Sequence, residues 1–161
     1  MFIRPYKVTD WPRVKAIYQA GIDTGMATFE RAPKSQQAFE EDSIKDMIFV
    51  ATEDGVITGW ATLWPTSKRA CYQGVAEVSV YVAPEYGRRG IGKKLLDSIA
   101  DASEEKGIWT LQAGILAVNE KSIDLHAKCG FKVVGRREKI AKIQDQWMDM
   151  ILMERRSLNV L

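Results

Sequence analysis

The amino-acid sequence predicts a mixed α/β fold, in which helices flank a central mixed (α+β) sheet. A β-branched run from Val75 to Val82 ends before Pro84, and a helical pattern begins near Ile91. Two strand-like runs flank the dipeptide Asp54-Gly55, which favours a tight hairpin. Strands and helices alternate along the chain, an order typical of a mixed sheet covered by helices.

Size and composition bound the class of protein. The 161 residues are 46% hydrophobic, enough for one domain over residues 1–161 with a sizeable core. A balance of 23 basic and 21 acidic residues lacks the basic excess typical of nucleic-acid-binding proteins. Two cysteines without a CxxC motif and a single histidine support neither a disulfide framework nor a metal site.

The N-terminal residues and the hydropathy of the chain predict its localisation. The N-terminus lacks a signal-peptide profile, and no apolar run approaches the roughly 20 residues that cross a membrane. We therefore expect a cytoplasmic protein that binds neither membrane nor nucleic acid.

The first half of the chain contains several predicted elements. Thr9 or Asp10 is expected to cap a helix that carries Pro12 in its first turn, with Val14 and Tyr18 on its buried side. The other elements predicted here are a strand over Phe2–Val8, a helix near residues 35–45, hairpin strands at Met47–Thr52 and Val56–Trp64, and a polar loop over residues 65–74.

The second half is predicted in the same way. Gly107 is expected to end the helix that begins near Ile91, and Asn119 to cap a later helix that ends at Gly130. The remaining elements are a strand from Trp109 to Val118, with Gly114 marking a close approach, and two antiparallel strands over residues 131–135 and 140–153.

The run from Val75 to Val82 and the turn behind it carry the predicted chemistry. Strand alternation places Val78 and Val80 on one face and Glu77 and Tyr81 on the other, so a carboxylate lies mid-strand among apolar neighbours. The turn that follows is rich in glycine and arginine and opens a helix. Because helix N-termini carry free N–H groups and a partial positive charge, this turn predicts a site for a pyrophosphate.

These residues resemble the GNAT superfamily of N-acyltransferases. Gly90 and Gly92 match its acyl-CoA signature, Gln/Arg-x-x-Gly-x-Gly/Ala, whereas Gly87 stands in the place of the Gln or Arg and Arg88 is able to compensate. The block from Asn119 to Phe131 matches a second landmark, Asn-x-x-Ser/Ala ending in Gly-Phe. The strand beginning at Glu77 resembles the phosphinothricin acetyltransferase-like subgroup in particular.

The resemblance implies a GNAT-type fold in which two central strands splay apart and admit acetyl-CoA as co-substrate. It also implies that pantetheine pairs with the strand backbone, as an added strand would. The residues implied to contact the cofactor are Val80, Tyr81, Val82, Arg88, Arg89, Gly90, Ile91, Gly92, Lys93, Asn119 and Ser122.

The implied reaction transfers an acetyl group to an amine by direct attack in a ternary complex. An α-amine has a pKa of roughly 7.7–8.0 and is largely protonated at neutral pH, so a base must remove its proton. Glu77 is the candidate base, although an inward carboxylate paired with a nearby Arg would give the same pattern. Backbone N–H groups at an expected strand irregularity near Val80 to Tyr81 would stabilise the oxyanion.

The departing thiolate also needs a proton. His126 stands where many relatives carry a tyrosine, and Tyr81 or a bound water are the other candidates. A lone histidine is otherwise most often a hydrogen-bonded core residue, so this alternative stays open.

The acceptor implied by the resemblance is a small-molecule amine, namely an amino acid or an analogue such as phosphinothricin or methionine sulfoximine or sulfone. Phe29 could instead be a core residue, and Glu30 and Arg69 solvated charges. Acetylation of a protein N-terminus or lysine and a non-catalytic acyl-CoA-binding module are the alternatives, and relatives imply a homodimer. The implied substrate contacts are Phe29, Glu30, Arg69, Tyr72, Trp147 and Asp149.

Overall fold

A computed structural model describes all residues, 1–161, and contains a seven-stranded sheet in the order β1-β2-β3-β4-β5-β7-β6. The strands are β1 (Phe2–Pro5), β2 (Ile48–Glu53), β3 (Val56–Pro65), β4 (Val75–Val82), β5 (Thr110–Leu116), β6 (Lys132–Ile143) and β7 (Gln146–Arg156). The helices are α1 (Trp11–Asp23), α2 (Gln36–Asp42), α3 (Ile91–Glu105) and α4 (Glu120–Lys128), with 3₁₀ turns at Val8–Asp10, Ala70–Tyr72 and Pro84–Tyr86. None of these helices has the length and hydropathy to span a membrane.

The mixed sheet confirms the predicted fold class. All neighbouring strands pair antiparallel except β4 and β5, which are parallel and joined by α3. The parallel pairing lasts only from Val75↔Thr110 to Glu77↔Gln112. Beyond Glu77 the two strands diverge, which confirms the expected splay.

Each face of the sheet carries its own core. Ala76 and Val78 on β4 pack with Leu95 and Ile99 of α3, in a cluster that covers one face. On the opposite face, aromatic side chains of α1, α2 and β3 pack together, and Tyr81 of β4 packs against them. The predicted alternation of faces along β4 is therefore confirmed.

Local sequence signals account for several boundaries. Asp54 and Gly55 both have positive φ, 50° and 79°, as a two-residue type I′ hairpin requires. The Asn119 side chain accepts a hydrogen bond from the Ser122 N–H and begins α4, as predicted. Asp10 stands at the N-cap position of α1, but its carboxylate accepts instead from the Lys7 N–H at 2.8 Å.

Three predicted strand boundaries are wrong, and one of them is the end of β6, which extends to Ile143 rather than Gly135. The first strand ends at Pro5 rather than Val8, because residues 8–10 form a 3₁₀ turn. The second C-terminal strand begins at Gln146 rather than Ile140, because the hairpin turn lies at Gln144 and Asp145. Both turn residues have positive φ, 48° and 64°, yet neither is the glycine that usually marks such a turn.

The close contact of α3 with the sheet depends on Gly59 of β3. A Cβ atom at this position would lie 2.8 Å from the Tyr81 carbonyl oxygen and 3.0 Å from Leu95 Cδ1.

We expect Gly59→Ala to lower the free energy of unfolding by about 1–3 kcal/mol, since overpacking forces shifts of backbone and side chains. Urea denaturation measures this change. Gly135→Ala is the matched control, because a Cβ atom added there would meet no other atom within 4 Å, and an equal loss in both variants would refute the steric explanation.

Candidate active site

A cavity of about 750 Å³ opens where β4 and β5 diverge. Its walls come from the diverging strands, the loop between α1 and α2, the end of α2, the end of β3 and both ends of α4. The residues that line it include Tyr18, Phe29, Glu30, Lys34, Glu41, Asp42, Trp64, Glu77, Val78, Ser79, Val80, Tyr81, Gly114, Leu116, Asn119, His126 and Met150.

The backbone of β4 faces this gap at alternate residues. The Ala83 N–H donates to the Thr58 carbonyl oxygen at 2.8 Å, and the β3–β4 register continues from there without a shift. Hydrogen-bonded pairs alternate along an antiparallel ladder, so Tyr81 bonds to β3 whereas Val80 and Val82 direct their backbone groups into the gap. The predicted backbone contact of Tyr81 with pantetheine and the predicted irregularity near Val80 to Tyr81 are therefore wrong.

Glu77 is the last residue of β4 that pairs with β5, and its carboxylate enters the cavity. Burial raises the pKa of this carboxyl, and the nearby Gly114 N–H opposes the rise. No ion pair of the structure includes Glu77, so the alternative of a structural Arg partner finds no support.

Gly114 lets this carboxylate lie directly against β5. A Cβ atom there would lie 3.3 Å from Glu77 Oε1 and 2.7 Å from Met150 Sδ. A side chain at position 114 would displace these two groups, so the predicted close approach occurs here and is made by side chains.

His126 lines the cavity from α4 and is 3% exposed. Its Nδ1 lies 2.7 Å from the Ser122 carbonyl oxygen, which only accepts hydrogen bonds, so Nδ1 carries the proton of the neutral ring. Burial lowers the pKa of His126, and the bond to Ser122 acts in the opposite direction. At neutral pH the ring is therefore mostly neutral, with its Nε2 lone pair unprotonated.

Tyr81 brings a hydroxyl to the same cavity. Its ring stacks on Trp60 with centroids 4.6 Å apart and lies 5.2 Å from the ring of Tyr18. Burial raises the pKa of Tyr81 to about 12, and the nearby Thr28 has a smaller opposing effect. The hydroxyl is thus protonated, and able to donate, throughout the neutral range.

The turn that opens α3 has the features of an anion site. The backbone N–H groups of residues 88–93 find no backbone acceptor, and the first one that does, at Lys94, donates to the Gly90 carbonyl oxygen. Arg88 and Gly90 both have positive φ, 64° and 77°, which turns the chain into the helix. Free N–H groups at a helix N-terminus could hold a diphosphate.

The other predicted residues of this turn have additional partners. Arg89 forms an ion pair with Glu53 at 3.2 Å and Lys93 one with Asp97 at 2.6 Å, whereas Arg88 forms none. Ile91 is buried in the core beneath α3. A Cβ at Gly92 would lie 3.0 Å from a Leu125 methyl group, so this glycine permits close packing of α3 on α4.

Asn119 and Ser122 lie at the start of α4 beside the gap. The Asn119 side chain donates to the Met26 carbonyl oxygen at 3.2 Å, which ties the loop after α1 to the mouth of the cavity. The Ser122 hydroxyl lies 3.4 Å from His126 Nδ1, so both polar side chains also serve the local structure.

The predicted substrate contacts divide into two groups. Phe29 and Glu30 line the cavity, as the loop prediction implied. The remaining four lie outside the cavity of their own chain. Within one copy of the protein, the prediction that these four residues contact the substrate is therefore wrong. They are Arg69, whose guanidinium lies 5.3 Å above the Tyr72 ring, together with Tyr72, Trp147 and Asp149.

Trp147 and Asp149 lie outside the cavity because of the length of β7. Trp147 and Asp149 lie on the part of β7 that extends beyond its pairing with β5, where Asp149 binds Arg136 at 2.6 Å and Trp147 lies under Lys142. Lys34 and Trp64 are among the lining residues that sequence reasoning missed. Trp64 pairs directly with Glu77 on the neighbouring strand, a relation that strand register alone reveals.

Comparison with known proteins identifies the class. A family model for the acetyltransferases of the GNAT family matches residues 14–131. The phosphinothricin N-acetyltransferase of Alcaligenes faecalis is 32% identical over 95% of this chain and 81% of its own length. The chain therefore belongs to the GNAT acetyltransferase family.

Solved structures agree with this assignment. The ribosomal-protein-alanine N-acetyltransferase of Brucella melitensis superposes with a TM-score of 0.91, at 27% identity, over 98% of this chain and all of that one. A phosphinothricin acetyltransferase of Sinorhizobium meliloti, solved with acetyl-CoA, gives 0.89 at 27% identity over 96% and 87% of the two chains. The protein is a GNAT-family N-acetyltransferase, and acetyl-CoA is its co-substrate.

Proposed function

We propose that residues 1–161 form one acetyltransferase domain that transfers an acetyl group to the amine of a small amino acid or analogue, of the phosphinothricin or methionine sulfoximine or sulfone type. The observation that carries this proposal is Glu77, a carboxylate without a cationic partner that enters a cavity of about 750 Å³ beside the strand divergence. A cavity of this size suits a small acceptor together with the reactive end of the co-substrate. The resemblance to phosphinothricin acetyltransferases supports the same acceptor class.

Two parts of the chain are suited to hold acetyl-CoA. The free N–H groups of residues 88–93 and the unpaired cation of Arg88 would bind its diphosphate. The backbone groups of Val80 and Val82 would pair with the pantetheine amides at the edge of β4. Acetyl-CoA itself supplies the activated acyl group, a thioester.

Glu77 acts as the general base in this proposal. It accepts the proton of the acceptor ammonium, directly or through one water, because only the free amine has a lone pair to attack the thioester carbonyl. Burial raises the pKa of Glu77 towards that of the acceptor, and the nearby Gly114 N–H limits the rise.

The Val80 N–H stabilises the oxyanion that follows the attack. It points into the gap because of the ordinary alternation of β4, so no strand irregularity is required. In well-studied enzymes one such donor contributes about 2.7–4 kcal/mol to the stability of the transition state.

Tyr81 donates a hydrogen bond to the departing thiolate and stabilises its charge, since a hydroxyl with a pKa of about 12 is a weaker acid than a thiol. Its hydroxyl carries a proton at neutral pH, whereas the Nδ1 proton of His126 is committed to the Ser122 carbonyl and its Nε2 has none to give. Among the candidates from the sequence, the geometry thus favours Tyr81, and His126 serves to shape the wall of the cavity.

We also propose that the protein is a cytoplasmic homodimer. Arg69 and Tyr72 lie on an exposed loop outside the cavity of their own chain, so contact with the acceptor requires a neighbouring copy.

Acetylation of a protein N-terminus is the second candidate, and the superposition on a ribosomal-protein-alanine N-acetyltransferase favours it. Release of free thiol from acetyl-CoA distinguishes the two, with methionine sulfone, phosphinothricin and a peptide that begins with alanine as acceptors. We expect a higher kcat/KM for the amino-acid analogues. A preference for the peptide would establish the second candidate instead.

Glu77→Gln tests the general base. We expect kcat/KM to fall about 10²- to 10⁴-fold near pH 7, because Gln cannot accept the proton. Wild-type kcat/KM should fall as the pH decreases through the raised pKa of Glu77, since protonation removes the base. The difference in kcat/KM between wild type and Glu77→Gln should narrow above about pH 9, because the acceptor amine is then deprotonated without a base.

Glu105→Gln, at an exposed position at the end of α3, is the matched control and should leave the profile unchanged. Equal rates for wild type and Glu77→Gln at both ends of the pH range would show that Glu77 is not the base.

Tyr81→Phe and His126→Asn distinguish the two candidate donors. We expect Tyr81→Phe to lower kcat about 10²-fold, because the departing thiolate loses its hydrogen-bond donor. His126→Asn should change kcat by less than about threefold, since the Asn amide replaces Nδ1 as donor to the Ser122 carbonyl. Single-turnover kinetics measures both, and the reverse order would assign the acid to His126.

A further inference from the structure

Lys34 is the only cationic side chain that lines the cavity. The other charged groups that line it are carboxylates, at Glu30, Glu41, Asp42 and Glu77, and His126 is mostly neutral. We propose that Lys34 binds the α-carboxylate of the acceptor and thereby selects amino acids over simple amines. This inference rests on the proposed function and identifies the residue that determines its specificity.

Trp64 links Lys34 to the proposed base. The Lys34 ammonium lies 5.5 Å from the centre of the Trp64 ring, and Trp64 pairs with Glu77 across β3 and β4. Paired residues lie on the same face of a sheet with Cα atoms about 5.5 Å apart. The Trp64 ring is held by its Nε1–H, which donates to the Ser79 hydroxyl at 2.9 Å.

An α-amino acid matches this arrangement. Its ammonium and carboxylate are attached to one carbon, so an acceptor with its nitrogen beside Glu77 presents its carboxylate close to Trp64. The Lys34 side chain is half-buried along that ring and reaches the same space. Glu77 thus accepts the proton of the acceptor, and Lys34 binds its carboxylate.

The charge balance makes Lys34 necessary for such an acceptor. Four carboxylates line the cavity and would repel an acceptor carboxylate if no cation were present. Lys34 is paired with Asp42 at 3.3 Å, but the Asp42 side chain is 55% exposed. Exposed ion pairs contribute little to stability, so the carboxylate of an acceptor can replace Asp42 at low cost.

Arg69 is the rival for this role, because its guanidinium matches a carboxylate well. In its own chain Arg69 lies outside the cavity, stacked on Tyr72. Only a second copy of the chain could bring Arg69 to the acceptor. Separate substitutions of Lys34 and of Arg69 therefore show which of them binds the carboxylate.

The experiment compares two acceptors that differ only in the carboxylate, methionine sulfone and 3-(methylsulfonyl)propan-1-amine. For Lys34→Gln we expect KM for the amino acid to rise about ten- to hundredfold with kcat little changed, as loss of a charge-assisted hydrogen bond predicts. KM for the amine should stay unchanged. Lys34→Arg should restore most of the affinity, and Asp42→Asn should lower KM for the amino acid by up to about fivefold.

Lys15→Gln, an exposed lysine of α1 away from the cavity, is the matched control. An equal rise of KM for both acceptors in Lys34→Gln would show a structural role and overturn the inference. A selective rise in Arg69→Gln, without one in Lys34→Gln, would assign the carboxylate to Arg69 of a neighbouring copy. If the wild type acetylates no amino acid at all, the proposed function itself fails, a result distinct from either of these.

Discussion

The divergence of β4 and β5 after three residue pairs is the constraint on which the site depends. Parallel strands normally satisfy each other's backbone groups, yet beyond Glu77 the groups of Val80 and Val82 have no strand to bind. A gap in the middle of a sheet is tolerated where it opens to solvent or to a ligand with its own amides. The gap therefore creates the space for a co-substrate and the polar edge that recognises it.

The two cores keep this gap in place. The cluster under α3 holds one face of β4, and the aromatic cluster of α1, α2 and β3 holds the other. Gly59 lets α3 approach the sheet, and Gly92 lets α4 approach α3, so the turn before α3 lies beside the open end of the gap. A Cβ atom at Gly92 would also lie 3.6 Å from Val82 Cγ2, so the first turn of α3 packs against the end of β4.

Electrostatics divides the cavity into distinct roles. Glu77 is half-buried without a cation, which raises its pKa and suits a base, whereas Asp10 binds Arg4 at 2.8 Å and has a lowered pKa. Tyr81 is held protonated by burial and His126 is held neutral, so the two groups are not interchangeable. The different environments of these side chains, rather than their types, decide which can give and which can take a proton.

Patterns of a few residues were sufficient to predict the hairpin at Asp54-Gly55, the faces of β4, the start of α3 at Ile91 and the cap at Asn119. These features follow from turn chemistry, strand alternation and capping, all of which act between neighbours in the chain. The family signature at Gly90 and Gly92 added the class of reaction.

Only the tertiary structure decided which side chains share the cavity. Lys34 and Glu77 are far apart in the chain and meet through Trp64 because β3 pairs with β4 in one register. The same register directs the Tyr81 backbone to β3, and the length of β7 beyond β5 carries Trp147 away from the site. Strand order and register join distant segments through contacts that no local pattern encodes.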